Sequence, residues 1–200
     1  MCGLNGIFAW SRAAPAVRTE ELIRTRDHMA NRGPDGTGLW VSEDQRVGFG
    51  HRRLSIIDLS NGGHQPMTSA DGALTVVLNG EIYNYQALRA ALVAKGCVFR
   101  STSDTEVLLH LYAEKGDAML GDLRGMFALI LWDSRRRRLL MARDPYGIKP
   151  LYYSDTGGTI RFASQVKALL AGGAISREPE PAGQVGFHLW GCVPEPFTRY

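Results

Sequence analysis

Short apolar segments of strand length, separated by turns rich in glycine, asparagine and proline, recur along most of this chain and constrain its fold more than any other feature. Residues 3–10, 39–41, 47–50 and 74–78 carry β-compatible apolar side chains and are bounded by turn signals such as Asn61-Gly62-Gly63 and Asp71-Gly72. Such runs fit buried strands, although periodicity alone leaves a buried helix open for residues 3–10. Residues 126–132 and 139–142 flank an arginine-rich turn as a hairpin, and 151–153 and 159–163 add two further strands. A polar loop containing Gln65-Pro66-Met67 lies between strands.

Helical spacing is confined to a few places. One helix starts at Thr19-Glu20-Glu21, carries Leu22, Ile23, Met29 and Ala30 as its stripe, and stops at Gly33-Pro34. Another covers residues 85–95, with Leu88, Ala91 and Leu92 on one face and Gly96 as its stop. A third follows Ser103 and Asp104, either of which can N-cap it, and places Val107, Leu108 and Leu111 together. Strands therefore dominate, with two or three helices over sheet faces, which predicts an α+β protein.

Two hundred residues, 44% hydrophobic and 22% charged, are enough for one core. We expect one domain over residues 2–171. Residues 172–200, punctuated by Pro179, Pro181, Pro194 and Pro196, read as a linker and the beginning of a truncated further domain. The net charge of +3 is small, and Arg135, Arg136, Arg137 and Arg138 lie together in one solvated turn, which argues against a nucleic-acid partner. Cys2, Cys97 and Cys192 are far apart and lack metal-ligand spacing, so neither a disulfide nor a metal site is expected. No apolar run approaches the ~20 residues of a membrane span, so no membrane partner is expected and the cytoplasm is the default compartment. Neither a GxxxxGK[ST] loop nor a GxGxxG fingerprint follows a strand, so this stretch carries no expected ATP or dinucleotide site.

Cys2 directly follows the initiator methionine. Removal of Met1 would leave a thiol and an α-amine on one residue, so nucleophile and base can coincide. An α-amine of pKa ~7.7–8.0 is about a tenth unprotonated at pH 7, whereas an ordinary lysine at ~10.4 is less than a thousandth. A lone cysteine in this position is more simply a small residue opening a buried strand. Its company changes that balance.

The company is Arg32-Gly33-Pro34-Asp35-Gly36, Gly50-His51-Arg52-Arg53-Leu54-Ser55-Ile56-Ile57-Asp58, Gln65-Pro66-Met67, Asn79-Gly80-Glu81-Ile82-Tyr83-Asn84 and Ser103-Asp104-Thr105-Glu106, in that order after Met1-Cys2-Gly3. Together these motifs resemble the class II glutamine amidotransferases, in the version found in the glutaminase half of asparagine synthetases. Arg143-Asp144-Pro145-Tyr146-Gly147, Lys149-Pro150-Leu151-Tyr152-Tyr153 and Phe162-Ala163-Ser164 extend the likeness over nearly the whole chain.

The resemblance implies a four-layer αββα sandwich of the N-terminal-nucleophile hydrolase type. It implies Cys2 as nucleophile, an oxyanion hole from Asn79 and Gly80, the glutamine carboxylate on Arg53, and its α-ammonium near Glu81 and Asp104. Leu54, Ile56 and Ile57 complete the substrate-binding set. The chemistry of these side chains agrees: a guanidinium fork suits a carboxylate, paired acids suit an ammonium, and two amide donors suit a developing oxyanion. Taken singly, Arg53 would read as a surface ion-pair residue, Asn79-Gly80 as a type I′ turn and Asp104 as a helix cap. His51 invites a Cys-His dyad, but the family uses the terminal amine, and His51 stays outside the catalytic set. Tyr83, Tyr146, Tyr152 and Tyr153 read as packing.

The expected activity is hydrolysis of glutamine to glutamate and ammonia without a cofactor in this chain. ATP and Mg are expected in a synthetase half that follows, with aspartate as acceptor by analogy, and there is room for a homodimer. The alternatives are the glutaminase half of a sugar-phosphate or phosphoribosyl amidotransferase, and a non-catalytic regulatory domain that never exposes Cys2. With Met1 in place the free amine is absent and the site is blocked.

Overall fold

In the computed structural model, which describes residues 1–200, the first apolar run is strand β1 (Gly3–Ala9), which settles the choice between strand and helix. It is central to five antiparallel strands in the order β2 (Gly36–Val41), β3 (Val47–Arg53), β1, β9 (Thr159–Ala163), β8 (Tyr152–Thr156). A second antiparallel sheet runs β4 (Met67–Thr68), β5 (Leu74–Ile82), β6 (Gly125–Asp133), β7 (Arg138–Arg143). The remaining elements are α1 (Thr19–Asp27), α2 (Tyr85–Ala94), α3 (Asp104–Lys115), α4 (Val166–Gly172) and α5 (Pro181–Trp190).

The period-2 alternation of strand side chains sorts the core into layers. Val77, Ala128, Ile130 and Trp132 point between the sheets and meet Leu4, Val47, Phe49 and Phe162. The alternate residues Val76, Leu78, Leu129 and Leu131 pack on Val107, Leu108 and Leu111 of α3. On the far side, Ile7 meets Leu22 of α1, and Ala163 meets Ala168 and Leu169 of α4. The result is the expected αββα order. Because β5 and β6 are buried on both faces, they read as continuous apolar runs. Phe49 is fully buried, and its truncation to alanine would cost on the order of 3–5 kcal/mol. Helix α1 sits close on β3 because Gly48 has no side chain: a Cβ there would lie 2.4 Å from Leu22 Cδ1.

Several expectations need correction. There are five α-helices, not two or three, since α4 and α5 carry too little stripe to stand out from the sequence. The first helix ends at Asp27, and Ala30–Arg32 forms a separate 3-10 turn before Gly33. The loop after Gln65-Pro66 contributes a two-residue edge strand, β4. Beyond residue 172 the chain forms α5, on which Val185, Phe187, Leu189 and Trp190 are exposed. Ser103 is the N-cap of α3, accepting from Thr105 N–H at 3.2 Å, while Asp104 is the first helical residue.

The arginine-rich turn is a hairpin tip whose four guanidiniums each pair with an aspartate: Arg135 with Asp71 at 2.7 Å, Arg136 with Asp133 at 3.3 Å, Arg137 with Asp44 at 3.0 Å, and Arg138 with Asp117. Exposed pairs of this kind contribute ~0–1 kcal/mol each, but they leave no unpaired basic patch. No helix is long and apolar enough to cross a membrane.

Candidate active site

The same alternation that fills the inter-sheet core continues to one end of it and changes chemistry there. Along β3, Val47 and Phe49 are followed by His51 and Arg53; along β5, Val77 is followed by Asn79 and Glu81; before Leu4 on β1 comes Cys2. The register that sets Gly3 opposite Arg52 brings Cys2 level with Arg53. A cleft opens at this end. Its walls include Cys2, Arg53, Leu54, Ile56, Ile57, Asn79, Gly80, Glu81 and Asp104, so every site residue expected from the sequence lines one cavity. His51 is not among them.

The backbone of Leu54 brackets the thiol. Its N–H donates to Cys2 Sγ at 3.3 Å, and its carbonyl accepts from the thiol at 3.6 Å. Burial pushes the thiol pKa up, against the opposing pull of the Leu54 amide, the chain's terminal ammonium and Arg53. Arg32 holds the Cys2 backbone, its Nε donating to the Cys2 carbonyl at 3.1 Å.

The outer edge of β5 supplies a row of backbone donors. Beyond the two residues of β4, no strand covers this edge, and side chains take over: Gln65 Oε1 accepts from Leu78 N–H at 2.6 Å, and Asp104 Oδ2 accepts from Ile82 N–H at 2.9 Å. Alternate residues of a strand point their N–H groups the same way, so the Gly80 amide belongs between these two and faces the cleft. It has no side-chain acceptor. Only glycine fits here, because φ is +149° and a Cβ would lie 2.0 Å from the Met126 carbonyl. Asn79-Gly80 is thus a strand interior and not a turn.

Arg53 is buried and aimed by a loop. Its Nη1 donates to the Ser60 carbonyl at 2.8 Å and its Nη2 to the Asp58 carbonyl, which uses two of the five guanidinium donors. The Asp58 carboxylate holds that loop by accepting from the backbone and hydroxyl of both Ser60 and Thr102. The Ser60 hydroxyl foremost, with these other donors, holds the Asp58 pKa down at about 2 in spite of burial. Burial raises the pKa of Asp104, and neighbouring Glu81 adds to the rise, against the Ile82 and Thr105 amides.

His51 is fully buried, with Nε2 at 3.1 Å from the Leu78 carbonyl, and burial depresses its pKa to about 4. It ties the two sheets together as a neutral ring. Met1 lies in the cleft, its sulfur accepting from Lys149 Nζ at 3.1 Å, and the space left is about 60 Å³. That is roughly a fifth of the ~300 Å³ at the lower end of small-molecule sites.

The glutamine amidotransferase domain family matches residues 1–200. The chain belongs to that family. Among its amidotransferase relatives, asparagine synthetase [glutamine-hydrolyzing] 1 of Bacillus subtilis is 44% identical over 200 residues, spanning 99% of this chain and 31% of the relative. Asparagine synthetase B [glutamine-hydrolyzing] of Escherichia coli is 41% identical over 191 residues, 95% of this chain and 33% of the relative. Amidase chry2 of Gibberella zeae is 45% identical over 161 residues, 80% of this chain and 23% of the relative. The chain therefore spans about a third or less of these relatives. Among solved structures, the glutamine phosphoribosylpyrophosphate amidotransferase of B. subtilis superposes with a TM-score of 0.73 at 23% identity, over 90% of this chain and 46% of that one. At that identity the likeness concerns the fold, the αββα sandwich.

Arg32, Gln65, Lys149 and Ser164 all sit in motifs visible in the sequence, yet their contacts were not legible there. Each acts across 13 to 160 residues of chain on a backbone group or on Met1, or, for Ser164, on Leu4 and Asn79. No local spacing encodes such a contact.

Proposed function

We propose that this domain hydrolyses glutamine to glutamate and ammonia through Cys2 after Met1 is removed. The observation that carries the reading is the row of amides on β5: two are filled by Gln65 and Asp104, and the one between them, at Gly80, is left for a ligand in the cavity that holds the thiol.

Asn79 supplies a second donor. The two ends of a carboxamide are told apart by their hydrogen-bond partners. As placed, Asn79 Nδ2 donates to Ser164 Oγ at 3.4 Å and Oδ1 has no partner. But Ser164 Oγ already accepts from Leu4 N–H at 3.1 Å, so its own proton needs an acceptor, which the carboxamide supplies when its two ends are exchanged. With Oδ1 turned to Ser164, Nδ2 is freed on the side where the fully buried Asn79 has no other partner.

The chemistry then follows. The freed α-amine takes the thiol proton, and sulfur attacks the side-chain amide carbon of glutamine. Asn79 Nδ2 and the Gly80 amide receive the oxyanion. The carbon–nitrogen bond breaks as the proton held by the amine passes to the leaving nitrogen, and ammonia departs. Water, deprotonated by the same amine, cleaves the thioester, releasing glutamate and restoring the thiol. Arg53 binds the α-carboxylate, Asp104 and Glu81 the α-ammonium, and Leu54, Ile56 and Ile57 the remainder.

None of these steps uses a cofactor. The sequence relatives named as asparagine synthetases favour delivery of the ammonia to a following synthetase portion, in which ATP, Mg and an acceptor such as aspartate would belong. The phosphoribosyl alternative has only the fold in its favour. Replacement of Cys2 by alanine, with glutamate formation followed in the folded variant, tests the reading: activity should vanish, and retained activity would refute it.

A further inference from the structure

Helix α3 lines two hollows, and the larger is not the catalytic cleft. A cavity of about 340 Å³ lies behind the second sheet, where α3, the β4–β5 turn and the start of the β6–β7 turn meet. This is within the range of roughly 300–1,000 Å³ usual for small-molecule sites. Its floor is apolar, built from Leu74, Leu109 and the ring of Tyr112, and Val98 stands exposed at its rim.

The polar groups around it are unbalanced. Each carboxylate is engaged by donors of the chain itself: Glu106 takes the amides of Arg100 and Ser101 and the Ser101 hydroxyl, Asp71 takes Ser69, Ala73 and Arg135, and Asp133 takes the amides of Arg135 and Arg136. The donors are not used up. Arg100 spends a single guanidinium contact, Nη2 to the Thr68 carbonyl at 2.9 Å, out of the five donors it carries. The Tyr112 ring is buried and lines this cavity, and its hydroxyl makes no hydrogen bond within the protein.

The geometry points to a second ligand site in this cavity, for a small carboxylate with a flat apolar body. The body lies on Leu74, Leu109 and Tyr112, and the carboxylate meets Arg100 and the Tyr112 hydroxyl. A bare inorganic anion would leave the apolar floor uncovered. The site is also coupled to the catalytic cleft, because α3 carries Asp104 and Thr105 into the cleft and Leu109 and Tyr112 into the cavity. This coupling rests on the glutamine reading of the cleft; the binding does not.

Titration of the full chain with phenylacetate, followed by backbone amide NMR shifts, tests the site. Saturable shifts are expected around residues 69–74 and 106–113, with phenylacetamide about tenfold weaker for want of the charge. Acetate should give none. Tyr112→Phe and Arg100→Gln should each weaken phenylacetate about fivefold, the worth of one hydrogen bond, without lowering Tm. Shifts centred on the catalytic cleft, no saturation at millimolar phenylacetate, or equal affinity in Tyr112→Phe would overturn the site. Phenylacetate should change the KM for glutamine in the parent and not in Tyr112→Phe; an unchanged KM in the parent would overturn the coupling alone.

Discussion

Asp104 accepts the backbone N–H of Ile82 at 2.9 Å, so a carboxylate from the first turn of α3 stands where a neighbouring strand would otherwise pair with β5. The contact fixes the depth at which the helix enters the cleft. The other carboxylate oxygen, Oδ1, accepts only a long contact from the Ser103 hydroxyl at 3.5 Å, and Glu81 is close by.

Asp104→Asn keeps an acceptor for Ile82 and removes the charge. The KM for glutamine should rise roughly 10- to 100-fold, the worth of one charge-assisted hydrogen bond, with kcat little changed. Because burial holds the Asp104 pKa above the usual carboxylate value, its charge is lost early on acidification. KM should therefore climb as pH falls toward that raised pKa, and the variant should lack this rise. A fall in kcat at constant KM would argue against the assigned contact.

Much of this arrangement was legible in the sequence. The buried strands announced themselves because β5 and β6 are covered on both faces, and the cleft residues because Cys2, Arg53, Asn79 and Asp104 lie in recognisable motifs. What escaped depends on pairing at a distance. Gln65 looked like part of a polar loop, yet its side chain replaces a strand at the β5 edge. The seven-residue α4 hides because three small or apolar residues of its own, Ala168, Leu169 and Gly172, are what it buries, not a long stripe. Asp104 read equally as a cap until Ser103 was seen to fill that position.

The oxyanion donors should separate by kcat. Asn79→Ala should lower kcat on the order of 10²- to 10³-fold, as loss of one such donor does, with a small effect on KM. Ser164→Ala should lower kcat by less, since the donor remains and only its orientation loosens. Steady-state kinetics on both decide this, and an Asn79→Ala enzyme with unchanged kcat would remove that residue from the oxyanion site.

Asp58 should shape the acid limit of stability. Its pKa is depressed from 3.8 to about 2, so the stability it contributes is fully present above pH ~4 and is lost as pH falls through about 2. In urea unfolding, the gap between parent and Asp58→Asn should be widest near pH 7 and shrink between pH ~4 and ~2. A gap independent of pH would contradict the role of the charge.

His51 should matter to folding and not to chemistry. With its pKa near 4, it is neutral at assay pH, and the stability tied to the neutral ring is lost as pH falls from about 6.5 through about 4. His51→Gln should lower Tm yet keep most of the glutaminase activity per folded molecule. Abolished activity in a folded variant would restore the Cys-His dyad.

The central claim is that the thiol of Cys2 works with its own α-amine, which exists only once Met1 is gone. Intact mass and glutaminase activity measured on the same preparations, processed and Met1-retaining, test it most directly. Activity should scale with the fraction of chains that begin at Cys2 and approach zero where Met1 remains, its side chain still in the cleft against Lys149. Full glutamine hydrolysis by a preparation whose mass shows Met1 intact would contradict the account.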